Sequence, residues 1–60
     1  MTTGSRIRAL RESRGMTQRQ LAGRAGCTDA AIRNYEAGRR ALKGSALDAI
    51  AGALGVAPEA

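Results

Sequence analysis

The chain has 60 residues, 43% of them hydrophobic, and a single aromatic residue, Tyr35. A chain this short forms one domain at most and has no room for a cleft with a buried active site. The core must consist of Leu, Ile, Val, Met and Ala, which favours packed helices over sheets.

The net charge is +5, and all ten Lys and Arg residues lie between Arg6 and Lys43. A basic block of this kind suggests a polyanionic partner, although it could also be a solvated surface. One cysteine, Cys27, and no histidine exclude an internal disulfide and a zinc site, and we expect Cys27 to be a small core residue. The chain shows neither a signal peptide nor an apolar stretch that could span a membrane, so we expect a cytoplasmic location.

The first predicted helix runs from about Gly4 or Ser5 to Ser13. Gly15 is its predicted left-handed C-terminal cap. Ile7 and Leu10 are three residues apart and face one way, while Arg6, Arg8 and Arg14 point elsewhere.

The second predicted helix begins at Thr17, ends at Ala25 and is followed by Gly26. Thr17 and Gln20 have the spacing of a capping box. Met16 and Leu21 are placed as a hydrophobic staple across this cap. The spacing predicts a buried stripe of Leu21, Ala22 and Ala25.

The third predicted helix repeats this arrangement and spans about Thr28 to Glu36. Thr28 is the predicted N-cap, Cys27 and Ile32 form the staple pair, and Gly38 ends the helix. Two short helices with a tight turn at Gly26 are typical of a helix-turn-helix unit, here about residues 17–38.

A basic loop separates Gly38 from the fourth predicted helix, in which Ser45 and Asp48 have a looser capping spacing. Pro58 and Glu59 resemble the first turn of another helix. We predict one domain over residues 1–60, without strands. Its expected core comprises Ile7, Leu10, Leu21, Ala22, Ile32, Tyr35, Leu47, Ile50 and Leu54.

Several of these spaced positions together resemble the phage repressor/Cro-type helix-turn-helix family. They are the Arg-x-x-x-Gly-Met-Thr-Gln run at residues 11–18, Leu21-Ala22, Gly26, Ile32, Glu36-x-Gly38 and Leu54-Gly55-Val56. The resemblance covers about Arg6 to Pro58. It implies an all-α, lambda-repressor-like bundle of four or five helices with no cofactor and no catalysis. It also implies binding to double-stranded operator DNA, usually as a homodimer on a palindromic site.

The family's functional positions can be carried over one at a time. Base edges would be faced by Asp29, Ala30 and Asn34. The third predicted helix would be the recognition helix, which lies in the major groove. Gln18 would contact a phosphate and brace this helix. Thr28 and Arg33 would also contact phosphates, and the DNA backbone would be held by Arg39, Arg40 and Lys43. The resemblance also pairs Arg11 with Glu36 as an ion pair between the first helix and the end of the third.

One of these residues can make only a restricted contact, and two have a simpler alternative role. Ala30 has no hydrogen-bonding group and can offer only an apolar contact, for example to a thymine methyl. Asp29 can accept from cytosine N4, but it repels phosphate and could serve only the helix dipole. Asn34 could be a solvated helix residue.

Two other function classes remain open. The same bundle could be a protein-interaction or oligomerisation module with an incidental basic face. Salt-dependent binding to duplex DNA would distinguish a DNA-binding domain from such a module. An enzyme is poorly supported, because the sequence has no histidine, no usefully spaced carboxylate pair and no phosphate-binding glycine loop. We expect a monomer or weak dimer in free solution, with the region around Leu54 and Val56 as the contact surface.

Overall fold

The computed structural model describes residues 3–56, whose regular structure consists of four α-helices. They are α1 (Thr3–Ser13), α2 (Gln18–Ala25), α3 (Asp29–Glu36) and α4 (Gly44–Leu54). The predicted all-α class and the order of the helices are confirmed. The predicted turn at Pro58 and Glu59 lies outside the described residues. None of the helices described is both long and apolar enough to cross a membrane.

Local side-chain caps start the two central helices where the sequence predicts them. The Thr17 hydroxyl accepts from the Gln20 N–H at 3.0 Å, and the Thr17 N–H donates to Gln20 Oε1 at 2.8 Å. This is the complete capping box of α2. At α3, the Thr28 hydroxyl accepts from the Ala31 N–H at 3.1 Å. Both caps use donors that a helix start otherwise leaves unpaired.

Gly26 makes the turn between α2 and α3. Its φ of 74° lies in the left-handed region, which glycine adopts without a steric penalty. The Cys27 N–H then donates to the Ala22 carbonyl at 3.0 Å, which closes the end of α2. The chain therefore reverses within three residues and brings α3 back across α2.

The core lies where α2 packs against α3 and α4. Leu21 and Ile32 are fully buried at its centre, and the other buried hydrophobic side chains are Ile7, Ala22, Tyr35, Ile50, Ala51 and Leu54. Most of the predicted core is thus confirmed. Leu10 is only half-buried but packs against the cluster.

Leu47 is the predicted core residue that the structure places elsewhere. It is half-buried and lines an apolar cavity of about 240 Å³ between α1 and α4, together with Ile7, Leu10, Leu42 and Val56. The helical spacing that links Leu47 to Ile50 is real. However, the Leu47 side chain faces this gap, whereas its neighbour Ala46 packs against the core.

Two local predictions are wrong. Cys27 is exposed, because it directly follows the left-handed Gly26 at the outside of the turn, and Ile32 is buried without it as a staple partner. Ser45 and Asp48 do not cap α4, because the helix already begins at Gly44 and Ser45 lies inside it. The residue at the cap position is Lys43, whose side chain makes no cap hydrogen bond.

Gly4 lies at a close approach of α1 to the end of α3. A Cβ atom built on Gly4 would lie inside van der Waals contact with the Tyr35 carbonyl oxygen and 2.9 Å from that of Glu36. The absence of a side chain at Gly4 therefore lets α1 lie directly on the end of α3.

Candidate nucleic-acid interface

The outer face of α3 is formed by side chains opposite its buried stripe. Ile32 and Tyr35 face the core, whereas Asp29, Ala30 and Arg33 are exposed. Asn34 is half-buried at the edge of this face. With a period of 3.6 residues, these outer positions follow one side of the helix over two turns. The predicted base-reading residues therefore share one convex surface with Arg33.

Asp29 and Arg33 form an ion pair on this face. Arg33 Nη1 lies 3.7 Å from Asp29 Oδ2, and their side chains remain 57% and 51% exposed. An exposed pair one helical turn apart is weak and easily opened. The Arg33 charge also offsets the repulsion that Asp29 alone would exert on an approaching phosphate.

Thr28 remains able to donate a hydrogen bond although it caps α3. Its oxygen accepts from the Ala31 N–H, and the hydroxyl hydrogen can still be donated outward because the residue is exposed. A phosphate contact at Thr28 is therefore compatible with the cap.

A largely buried ion pair joins α1 to the end of α3. Arg11 Nε donates to Glu36 Oε2 at 2.7 Å, and Arg11 Nη2 donates to Glu36 Oε1 at 3.2 Å. Only 11% of the Arg11 side chain and 5% of the Glu36 side chain are exposed. Arg11 Nη1 also donates to the Met16 carbonyl at 2.7 Å. The two residues that the resemblance pairs are thus in bidentate contact, the strongest geometry for this kind of pair.

This environment stabilises the charge on Arg11. The hydrogen bonds to Glu36 raise the pKa of Arg11 further above its already high ordinary value, and they outweigh the opposing effect of burial. Arg11 is accordingly positively charged at every pH at which the domain would be studied.

Gln18 at the start of α2 completes this polar cluster. Its Nε2 donates to Glu36 Oε1 at 3.2 Å and so ties α2 to the end of α3. The amide nitrogen carries a second hydrogen, and the main-chain N–H of Gln18 belongs to the first turn of α2, whose donors have no partner within the helix. A phosphate at Gln18 could therefore be bound by either donor without breaking the brace.

The three cations after α3 point in different directions. The Arg39 N–H donates to the Asn34 carbonyl at 2.9 Å, and the Arg39 side chain lies near α1 and α3. The Arg40 guanidinium lies 5.4 Å from the centroid of the Tyr35 ring, a cation–π distance. Lys43 is exposed immediately before α4. The three residues predicted to hold the DNA backbone therefore have different surroundings.

Arg8 is a candidate that the sequence analysis passed over. It is exposed, as predicted, yet it lines the same crevice as Arg33 and Arg39. Arg8 and Arg11 are three residues apart on α1 and therefore lie on the same helix face. This spacing could have identified Arg8, but only once α1 was known to lie on the end of α3.

Comparison with known proteins relates the whole arrangement to one family. The family model HTH_3, described as helix-turn-helix, matches residues 7–60. The immunity repressor protein of Bacillus phage phi105 is 43% identical over 56 residues, which make up 93% of this chain and 39% of that protein. The chain thus spans well under half the length of this curated relative.

Two solved structures extend the similarity to the fold. The P22 c2 repressor protein, crystallised in complex with a synthetic operator, has a TM-score of 0.91 at 31% identity, covering 97% of this chain and 88% of that one. The restriction-modification controller protein C.AhdI from Aeromonas hydrophila has a TM-score of 0.88 at 31% identity, covering 92% and 83%. The repressor-like bundle implied by the sequence resemblance is confirmed.

Proposed function

Since the chain belongs to the helix-turn-helix family, we propose that it binds double-stranded DNA sequence-specifically and regulates transcription, with α3 in the major groove. The observation that carries this proposal is the outer face of α3, where Asp29, Ala30 and Arg33 are exposed beside a crevice that Gln18 and Arg39 line. Such a protein acts without catalysis and works where the DNA is, in the cytoplasm of a bacterium.

Phosphate contacts would supply most of the affinity, and a few base contacts the sequence preference. Donors that can reach phosphate surround α3, namely Gln18, Thr28, Arg33, Arg39, Arg40 and Lys43. Asp29, Ala30 and Asn34 would face the base edges. A domain this small makes few contacts, so tight binding requires two copies on half-sites about one helical turn apart.

Selection of bound sequences from a random duplex pool tests the proposal directly. We expect a palindromic motif, bound with an affinity that falls steeply as salt rises, because bound phosphates release their counterions. Failure to bind any duplex at low salt would instead favour a protein-interaction module whose basic face is incidental.

Asn34 and the arginines after α3 should affect DNA binding in different ways. The Asn34 amide can donate and accept together, which matches adenine N6 and N7. Asn34→Ala should therefore cost about 1–3 kcal/mol of binding free energy on the selected site and little on random DNA. Titration of both duplexes at several salt concentrations measures the difference.

Arg39→Ala and Arg40→Ala provide the contrast in the same titrations. Each should weaken both duplexes alike and lower the salt slope by about one unit. Arg40→Ala also removes the contact with the Tyr35 ring, so its unfolding midpoint must be measured alongside. Equal weakening of both duplexes by Asn34→Ala would mean that Asn34 reads no base.

A further inference from the structure

A polar crevice of about 290 Å³ opens beside the outer face of α3, where α1, α2 and α3 meet. Its walls include Arg8 and Arg11 from α1, Gln18 from α2, Arg33 and Glu36 from α3, and Arg39 after it. Four arginines and one carboxylate thus surround a single depression next to the proposed DNA-binding face. The phosphate contacts proposed for Gln18, Arg33 and Arg39 treat each residue separately and do not include Arg8.

The charged side chains in this crevice differ in how strongly they are bound by ion-pair partners. Glu36 is bound on both oxygens by Arg11 and also accepts from Gln18, so its negative charge is neutralised. Arg8 contacts Glu12 at 3.4 Å, but both side chains are more than half exposed. Within the described part of the chain, the Arg33 side chain pairs only with Asp29, and that pair is exposed. Because exposed pairs contribute little, these arginines can turn to a stronger partner at small cost.

We propose that this crevice binds one backbone phosphate of the DNA, which Arg8 of α1 and Arg39 after α3 both contact. The inference rests on the proposed function and adds a phosphate contact from α1. Guanidinium groups bind phosphate oxygens through paired N–H donors, and an excess of positive charge around a depression selects an anion. Arg33 lies both on the outer face of α3 and in the wall of the crevice. The DNA strand that borders the major groove occupied by α3 is therefore the nearest source of that phosphate.

The first test compares Arg8→Ala with Arg6→Ala. Arg6 lies on the same helix and is also exposed, but it lines the apolar cavity between α1 and α4. Both changes remove one positive charge, so the difference between them isolates a local contact. Arg8→Ala should weaken binding to the selected duplex and to random DNA about three- to tenfold beyond Arg6→Ala. Both variants should keep the wild-type unfolding midpoint.

The second test asks whether Arg8 and Arg39 share one phosphate. Each phosphate of the selected duplex is replaced in turn by an uncharged methylphosphonate. At one position, the wild-type protein should lose affinity while Arg8→Ala and Arg39→Ala each lose clearly less. Arg8→Lys, which keeps the charge but loses the paired donors, should bind with intermediate affinity.

The possible results separate the two proposals. If the wild-type protein binds no duplex, the proposed function fails and the crevice site fails with it. If the wild type binds but Arg8→Ala behaves like Arg6→Ala, only the crevice site is wrong. If Arg8 and Arg39 respond to different methylphosphonate positions, the shared phosphate is likewise excluded.

Discussion

Replacing Arg11 with alanine should lower the free energy of unfolding by about 3–5 kcal/mol, because it leaves a buried carboxylate without its cation. Glu36 is only 5% exposed and would keep the Gln18 amide as its side-chain donor. The change also removes the hydrogen bond to the Met16 carbonyl. A 60-residue domain has a total stability of only about 3–9 kcal/mol. Much of the variant should therefore be unfolded at 25 °C, which circular dichroism would show as lost helix.

Arg33→Ala is the matched control for this change. It removes the arginine of an ion pair on the surface, where both side chains are more than half exposed, and should cost no more than about 1 kcal/mol. Equal losses from Arg11→Ala and Arg33→Ala would show that burial of the Arg11–Glu36 pair has no consequence for stability.

A double-mutant cycle measures the interaction between Arg11 and Glu36 in variants that stay folded. Glu36→Gln keeps the shape and one acceptor, and Arg11→Lys keeps the charge. Combined, they should show a coupling energy within the range of about 0.5–3 kcal/mol found for contacting residues. Additive losses in chemical denaturation would rule out an energetic link between α1 and α3 through this pair.

Gly4→Ala should destabilise the domain by about 1–3 kcal/mol, the usual cost of overpacking a closed contact. The new Cβ would meet the Tyr35 and Glu36 carbonyl oxygens, which are main-chain atoms and cannot turn aside. Relief requires α1 to move away from α3 or its first turn to unwind. Urea unfolding monitored by circular dichroism measures the loss.

Gly52→Ala provides a control of the opposite sign. Gly52 lies inside α4, and a Cβ built there has no neighbouring atom of residues 3–56 within 4 Å. Alanine should therefore stabilise the domain by about 0.4–1 kcal/mol through its higher helix propensity and smaller unfolded-state entropy. If both alanine variants shifted stability in the same direction, the close approach at Gly4 would not be what excludes a side chain at this position.

Structural features that depend on nearby residues could be predicted from the sequence. The cap at Thr17 and Gln20 and the turn at Gly26 involve atoms at most five residues apart, so backbone geometry fixes them almost alone. The buried Ile32 and Tyr35 follow from helical periodicity in the same way. The Arg11–Glu36 contact spans 25 residues and was expected only through the family resemblance.

Errors arose where a local pattern competed with packing. Cys27 has the spacing of a staple residue, yet the exit direction of the chain from Gly26 leaves it outside. Leu47 has the helical spacing of the buried Ile50 and Leu54, yet it faces a cavity. Periodicity identifies a helix face, but it does not identify the element that covers that face.

The sequence by itself thus determined the four helices, the caps of α2 and α3 and the face of α3 that is turned away from the core, since these depend on contacts within one or two turns. Only the tertiary structure decided how α1 lies against α3. That arrangement leaves no room for a side chain at Gly4, brings Arg11 to Glu36, and places Arg8 in one crevice with Arg33 and Arg39. The physical reason is that the relative position of two helices depends on all the side chains packed between them, which no short stretch of sequence contains.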